Sequence, residues 1–126
     1  MKFLESKEIS VERDDMSVIF KPVTALNQAA LLGYQIDMNM ALESKDTSLM
    51  VQTKMKAVFY ALKEMITKLT ISGEDYNPVQ VAESADISDI DTVNALNVIF
   101  DMTVGILIQG ETKKKSTSPQ KSIKKG

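Results

Sequence analysis

Most side chains in this sequence that could carry chemistry are carboxylates and lysines. One acidic cluster, Glu83, Asp86, Asp89 and Asp91, precedes a long apolar segment and can be compared with a calcium-binding loop. A loop of the EF-hand type requires glycine at its sixth position and glutamate at its twelfth. Counted from Asp86, those positions hold Asp91 and Asn97. We therefore interpret these acids as helix caps that complement a helix dipole, and not as a metal site.

Two adjacent acid pairs, Asp14 with Asp15 and Glu74 with Asp75, are of the residue type that general acid–base catalysis uses. Both pairs fall in predicted turns, where acids are favoured for local backbone reasons. The sequence contains no histidine and no cysteine, so it lacks thiolate nucleophiles, Ser–His pairs and the usual zinc ligands. No glycine-rich phosphate-binding motif is present either. We predict a protein that is not an enzyme and that uses no metal and no cofactor.

The elements that position these residues are predicted from hydrophobic periodicity. Two segments with alternating apolar residues predict strands, and longer segments with apolar spacings of three and four predict helices. The fold class is therefore α+β and mainly α, with one globular domain over residues 1–110. The predicted elements are an N-terminal β-hairpin over about residues 8–23 and a bundle of three main helices over about 25–43, 48–71 and 89–108, with a short helical turn opened by Pro78.

The charges are divided between a body and a tail. Residues 111–126 contain six lysines and one acid, a charge of +5, whereas residues 1–110 carry −7. The tail contains Pro119 and one large aliphatic residue, too little apolar surface to fold, so we expect it to be disordered. Three roles are open for it: a solubilising end, a contact with nucleic acid through charge alone, or a contact with an acidic protein surface.

The first predicted helix is apolar over more of its circumference than one side of a small core needs. Either this helix is central or its second face meets a partner. The eight methionines of the sequence suit adaptable contacts as well as core filling. One face holds Leu26, Ala29, Ala30, Leu32, Ile36 and Met40, and the second holds Leu31, Tyr34, Met38 and Leu42. We predict a protein-binding surface formed by Leu31, Tyr34, Met38, Met40 and Leu42.

Three segments taken in order, IFKPVTALNQAALLG, FYALKEMITKLTISG and DISDIDTVNALNVIF, carry a resemblance in layout to a known family. The chain resembles the tail assembly chaperones of long-tailed, siphovirus-type bacteriophages over roughly residues 8–108. The resemblance implies a protein that binds the tape measure protein and helps recruit tail tube subunits. It also implies self-association into a homo-oligomer, which the two-faced first helix would suit.

Two alternative functions belong to other classes. A small regulator could bind nucleic acid through the basic tail, although an acidic body would repel a phosphate backbone. A structural tail or connector subunit would instead remain in the virion. The sequence contains no run of 18 apolar residues, so we expect no membrane span. The segment MKFLESKEIS lacks the apolar region of a secretory signal. We therefore expect a cytoplasmic protein, in the host cell if it is encoded by a phage.

Overall fold

The computed structural model describes residues 1–4 and 6–112, and it has the predicted α+β, mainly helical fold. The predicted disordered tail falls largely on residues 113–126, which lie outside the described residues. Its first two residues continue the last helix beyond Gly110, where the sequence predicted an end. The elements in chain order are β1 (Ile9–Arg13), β2 (Met16–Phe20), α1 (Ala25–Ser44), α2 (Thr47–Glu64), β3 (Ile66–Ile71), β4 (Glu74–Tyr76), α3 (Pro78–Ser84) and α4 (Ile90–Thr112).

The strands form one antiparallel sheet in the order β1-β2-β3-β4, with α1 and α2 inserted between the two hairpins. The predicted N-terminal hairpin is confirmed, and Asp14, with φ of 56°, lies in its two-residue turn. The second hairpin turns at Ser72 and Gly73, with φ of 51° and 82°. Two successive residues with positive φ are typical of a type I′ turn, which matches the twist of an antiparallel pair.

Residues 66–71 form a strand and not the last turns of a helix. The predicted helix over 48–71 is wrong in this part, because α2 ends at Glu64 and β3 begins at Ile66. The segment ITKLTI is rich in β-branched residues, which favour a strand. It also pairs with β2, where Val18 lies opposite Leu69. Because Met65, Ile66 and Leu69 keep the apolar spacing of α2, periodicity alone extended the helix across them.

The core lies between one face of the sheet and the helices α2 and α4. Alternate residues of β2 point inward, and α2 packs against α1, α3 and α4. The apolar area that these elements remove from water is the main stabilising contribution to the fold. The fully buried side chains of the core come mainly from two strands and two helices. They are Val18 and Phe20 of β2, Leu69 of β3, Val58 and Leu62 of α2, and Leu96, Ile99, Met102 and Ile106 of α4.

Among the described residues, one helix is long and apolar enough to cross a membrane on length and composition alone. This segment is Ile90–Leu107 of α4. In the fold, one side of α4 lies in the core, where Leu96 and Ile99 are each 1% exposed. On its other side Asp101 is exposed and forms an ion pair with Arg13 at 3.6 Å. Of the 18 residues in this segment, 28% are buried in the fold.

Candidate functional site

The orientation of α1 is set by polar contacts at its N-terminal end. Thr24 caps the helix: its hydroxyl accepts a hydrogen bond from the Asn27 backbone N–H, and the Asn27 side chain accepts one from the Thr24 N–H, both at 3.0 Å. The buried Asn27 side chain also donates to the Tyr60 hydroxyl of α2 at 3.0 Å. The Tyr34 ring meets the Tyr60 ring edge to face, with centroids 6.0 Å apart. These contacts fix which face of α1 points toward α2.

The outer face of α1 is apolar and open to solvent. Leu26 is 80% exposed, Met40 60% and Ile36 53%. Of the five residues of the predicted protein-binding surface, Met40 lies on this outer face, whereas Leu31 is buried and Tyr34 contacts Tyr60 of α2. Both faces of α1 are apolar, so periodicity could not show which of them would face α2. The contacts of Asn27 and Tyr34 with Tyr60 of α2 determine this. We call this face the outer stripe; it consists of Leu26, Ala29, Leu32, Gly33, Ile36 and Met40.

A groove of about 730 Å³ runs between α1 and α4. Both helices pack against α2, whose Thr53 and Ala57 form the floor. Because the side chains of Thr53 and Ala57 are short, the space between the two walls stays open. The wall on α1 consists of Ala25, Gln28, Ala29, Leu31, Leu32, Tyr34, Gln35 and Met38, and the wall on α4 of Phe100, Thr103, Val104 and Leu107.

Among the side chains that the structure describes, those lining this groove are uncharged. The Thr103 hydroxyl donates to the Ile99 carbonyl at 2.8 Å, so its hydrogen-bonding capacity is partly satisfied within α4. Beside the groove, the Lys54 ammonium lies 5.0 Å from the centre of the Phe100 ring. An apolar groove with a few neutral polar groups can bind an apolar ligand surface.

The structure divides the five residues of the predicted protein-binding surface. Leu31 is 7% exposed and belongs to the core, and it reaches the groove together with Tyr34 and Met38. Met40 belongs to the outer stripe, while Leu42 is 54% exposed and borders neither surface. Sequence reasoning missed the floor on α2 and the wall on α4, because those residues are far from α1 in the chain and only the tertiary packing brings them together.

Of the acids that the sequence predicted to cap a helix, Asp89 caps α4, whereas Asp86 bonds within the preceding loop and Glu83 lies in α3. Asp89 accepts hydrogen bonds from the Thr92 backbone N–H and hydroxyl at the start of the helix. Asp86 accepts from the Ser88 hydroxyl and backbone N–H, and these bonds lower the pKa of Asp86 below its usual value. In the part of the chain that the structure describes, no group of three acidic side chains is arranged to hold a metal ion.

The first acid pair lies in the turn of the first hairpin, whereas Glu74 and Asp75 belong to β4 and not to the turn that the sequence had predicted. Asp15 accepts a hydrogen bond from the Ser72 hydroxyl, and the Ser72 N–H donates to the Asp15 carbonyl at 2.8 Å. These two bonds join the turn of the first hairpin to that of the second. Asp75 accepts from the hydroxyl of Thr70, its cross-strand partner on β3, at 2.8 Å.

The groove and the outer stripe are therefore the candidate binding surfaces among the described residues. No protein-family model, curated protein or solved structure matches the chain.

Proposed function

We propose that this chain is a phage tail assembly chaperone that binds a helical segment of a tape measure protein and helps recruit tail tube subunits. The observation that supports it is the uncharged apolar groove between α1 and α4. The partner's identity comes from the sequence resemblance. In this proposal the chain acts in the host cytoplasm as a binding protein, without catalysis and without a cofactor.

The dimensions of the groove suit a helix. Its wall on α1 extends from Ala25 to Met38, which is about 20 Å along the axis at 1.5 Å per residue. The wall on α4, from Phe100 to Leu107, is about 10 Å long, so both walls together would flank about two turns of a second helix. An amphipathic helix would place apolar side chains at spacings of three, four and seven on the floor formed by Thr53 and Ala57.

The neutral lining defines the partner's chemistry. A charged side chain placed in the groove would lose its hydration without gaining an ionic partner, so the bound face should be aliphatic or aromatic. Gln28 and Gln35 lie one heptad apart on the α1 wall and can hydrogen-bond to polar groups at the edge of a bound helix. A tape measure segment that is shielded from aggregation by this chain should therefore carry a continuous apolar stripe.

The experiment that tests this function is co-expression with overlapping fragments of the tape measure protein encoded beside the gene of this chain. We expect at least one helical fragment to become soluble and to co-purify. Val104→Glu places a carboxylate in the α4 wall and should weaken that complex at least tenfold, a loss of about 1.4 kcal/mol or more.

Val79→Glu is the matched control, because Val79 of α3 is 41% exposed, Val104 is 37% exposed, and Val79 lies outside the groove. Circular dichroism should show both variants folded. The proposal fails if no tape measure fragment co-purifies, or if the two variants weaken the complex equally.

A further inference from the structure

We infer that Thr53, on the floor of the groove, sets the register of the bound helix by pairing with one neutral hydrogen-bonding side chain in its apolar stripe. This inference rests on the proposed function, because it takes the occupant of the groove to be a helix. It refines the apolar stripe of that helix at a single position, where a residue such as asparagine replaces an aliphatic one.

The side chain of Thr53 is buried without a hydrogen-bond partner. Thr53 is 4% exposed and lines the groove. In the part of the chain that the structure describes, its hydroxyl forms no hydrogen bond. A buried hydroxyl without a partner has lost its hydration and gained nothing in exchange, so such groups are rare in folded proteins. A bound molecule that supplies a donor or an acceptor at this point removes that cost.

Thr103, on the α4 wall of the same groove, shows the contrast. It is the same residue type and is 3% exposed, but its hydroxyl donates to the Ile99 carbonyl at 2.8 Å. This is the bond that a threonine inside a helix commonly forms with the carbonyl four residues before it. Within the described part of α2, Thr53 does not form the corresponding bond to Leu49. The Thr53 hydroxyl is therefore able to donate and to accept across the groove.

The floor of the groove has one polar level and one apolar level. Thr53 and Ala57 lie four residues apart, which is about 6 Å along α2 and about one turn. A helix that lies along α2 therefore places one stripe side chain against a hydroxyl and the next against a methyl group. The side chain at the level of Ala57 should be apolar, because a polar group there would lose its hydration against that methyl group.

This difference between the two levels fixes the register. If the bound helix slides by one turn, its polar side chain faces Ala57 and an apolar side chain faces Thr53, which leaves two polar groups unpaired. A single buried polar residue fixes the alignment of coiled coils in the same way. The pairing group should be neutral, because the described lining is uncharged and offers no ionic partner. The amide of asparagine can both donate and accept.

The test measures the binding of two synthetic amphipathic peptides to the full chain by fluorescence anisotropy. Each peptide has about 15 residues, or about four helical turns, with leucine along one stripe. The two peptides differ only at the central position of that stripe, which holds leucine in one and asparagine in the other. The ratio of their two dissociation constants measures the preference of the chain for asparagine.

Thr53→Val replaces the hydroxyl by a methyl group in a side chain of the same shape. It should shift the ratio of dissociation constants about tenfold in favour of the leucine peptide, which corresponds to about 1.4 kcal/mol. Thr53→Ser keeps the hydroxyl and should keep the preference for asparagine. Thr103→Val is the matched control and should leave the ratio unchanged, since the Thr103 hydroxyl is already bonded within α4.

Two further measurements locate the peptides and test the free hydroxyl. Val104→Glu should weaken the binding of both peptides, because Val104 lines the groove. Without peptide, the urea midpoint of Thr53→Val should not fall, because the hydroxyl loses no bond within the chain. A lower midpoint would overturn the inference by showing that Thr53 has a partner in the folded chain.

The register inference also fails if Thr53→Val leaves the ratio unchanged, if Thr103→Val shifts it equally, or if Val104→Glu weakens neither peptide. It fails as well if the asparagine peptide does not bind. The proposed function is tested separately, by co-purification of a tape measure fragment. A fragment that co-purifies and is released by Val104→Glu would leave the groove as a binding site for a helix even where the role of Thr53 is excluded.

Discussion

Helices α1 and α2 are neighbours of similar length that distribute their apolar residues differently. α2 buries one face in the core, including Val58, Ala61 and Leu62, and exposes lysines on the other. α1 buries Leu31 and Ala41 and leaves an uncharged apolar stripe in solvent. Burial in the core accounts for most of the apolar residues of α2. Most of the apolar residues of α1 are not buried in the core.

This difference separates stability from recognition. A side chain that is already buried contributes its hydrophobic free energy to folding, and one that remains exposed retains that free energy for association. The long amphipathic helix that is most obvious in the sequence, α2, is therefore the structural scaffold. The less regular helix α1 supplies one wall of the groove and the whole of the outer stripe.

The largest expected effect on stability appears when a leucine of α2 and a leucine of α1 are each replaced by alanine. Leu62→Ala removes a fully buried side chain from α2 and should lower the free energy of unfolding by about 2–5 kcal/mol. Leu32→Ala removes a side chain of α1 that is 56% exposed, and it should change the free energy of unfolding by about 0.5 kcal/mol or less. Urea unfolding of the two variants beside the original chain measures both changes. Equal losses would show that the two helices do not differ in this way.

The first hairpin and the limits of most helices were predictable because local signals agreed there. Alternating apolar residues and the acidic turn at Asp14 indicate the hairpin, and Asp89 marks the start of α4. At residues 66–71 the signals conflicted, since apolar spacing continued the helix while β-branched residues favoured a strand. The Ser72–Gly73 dipeptide that follows is a recognised turn signal, and giving it more weight would have identified the second hairpin.

The candidate site was predictable only in part, for a physical reason. An excess of apolar residues on α1 is visible in the sequence, but both of its faces satisfy the same periodicity. The choice between them depends on Asn27 and Tyr34 meeting Tyr60, a residue of another helix. The groove likewise combines residues of three helices, and single-sequence periodicity contains no information about which helices become neighbours.

An intermediate effect is expected at Asn27, which holds the chosen face of α1 against α2. Asn27→Ala removes the side-chain bonds to Thr24 and Tyr60 and should destabilise the fold by about 1–3 kcal/mol. Gln28→Ala, at the next position on the exposed side, is the control and should have an effect close to zero. Thermal and urea unfolding compare the two variants. Similar values would mean that Asn27 does not select the orientation of the helix.

A small effect of opposite sign is expected at Gly33 of α1. Gly33→Leu adds a side chain in open space and should raise the free energy of unfolding by about 0.5–1 kcal/mol through helix propensity. Urea unfolding of the variant beside the original chain measures the change. A stabilised variant would show that the fold of the single chain does not require glycine on the exposed side of α1, in contrast to the side chains that α2 buries. A destabilised variant would show that the added side chain does not lie in open space.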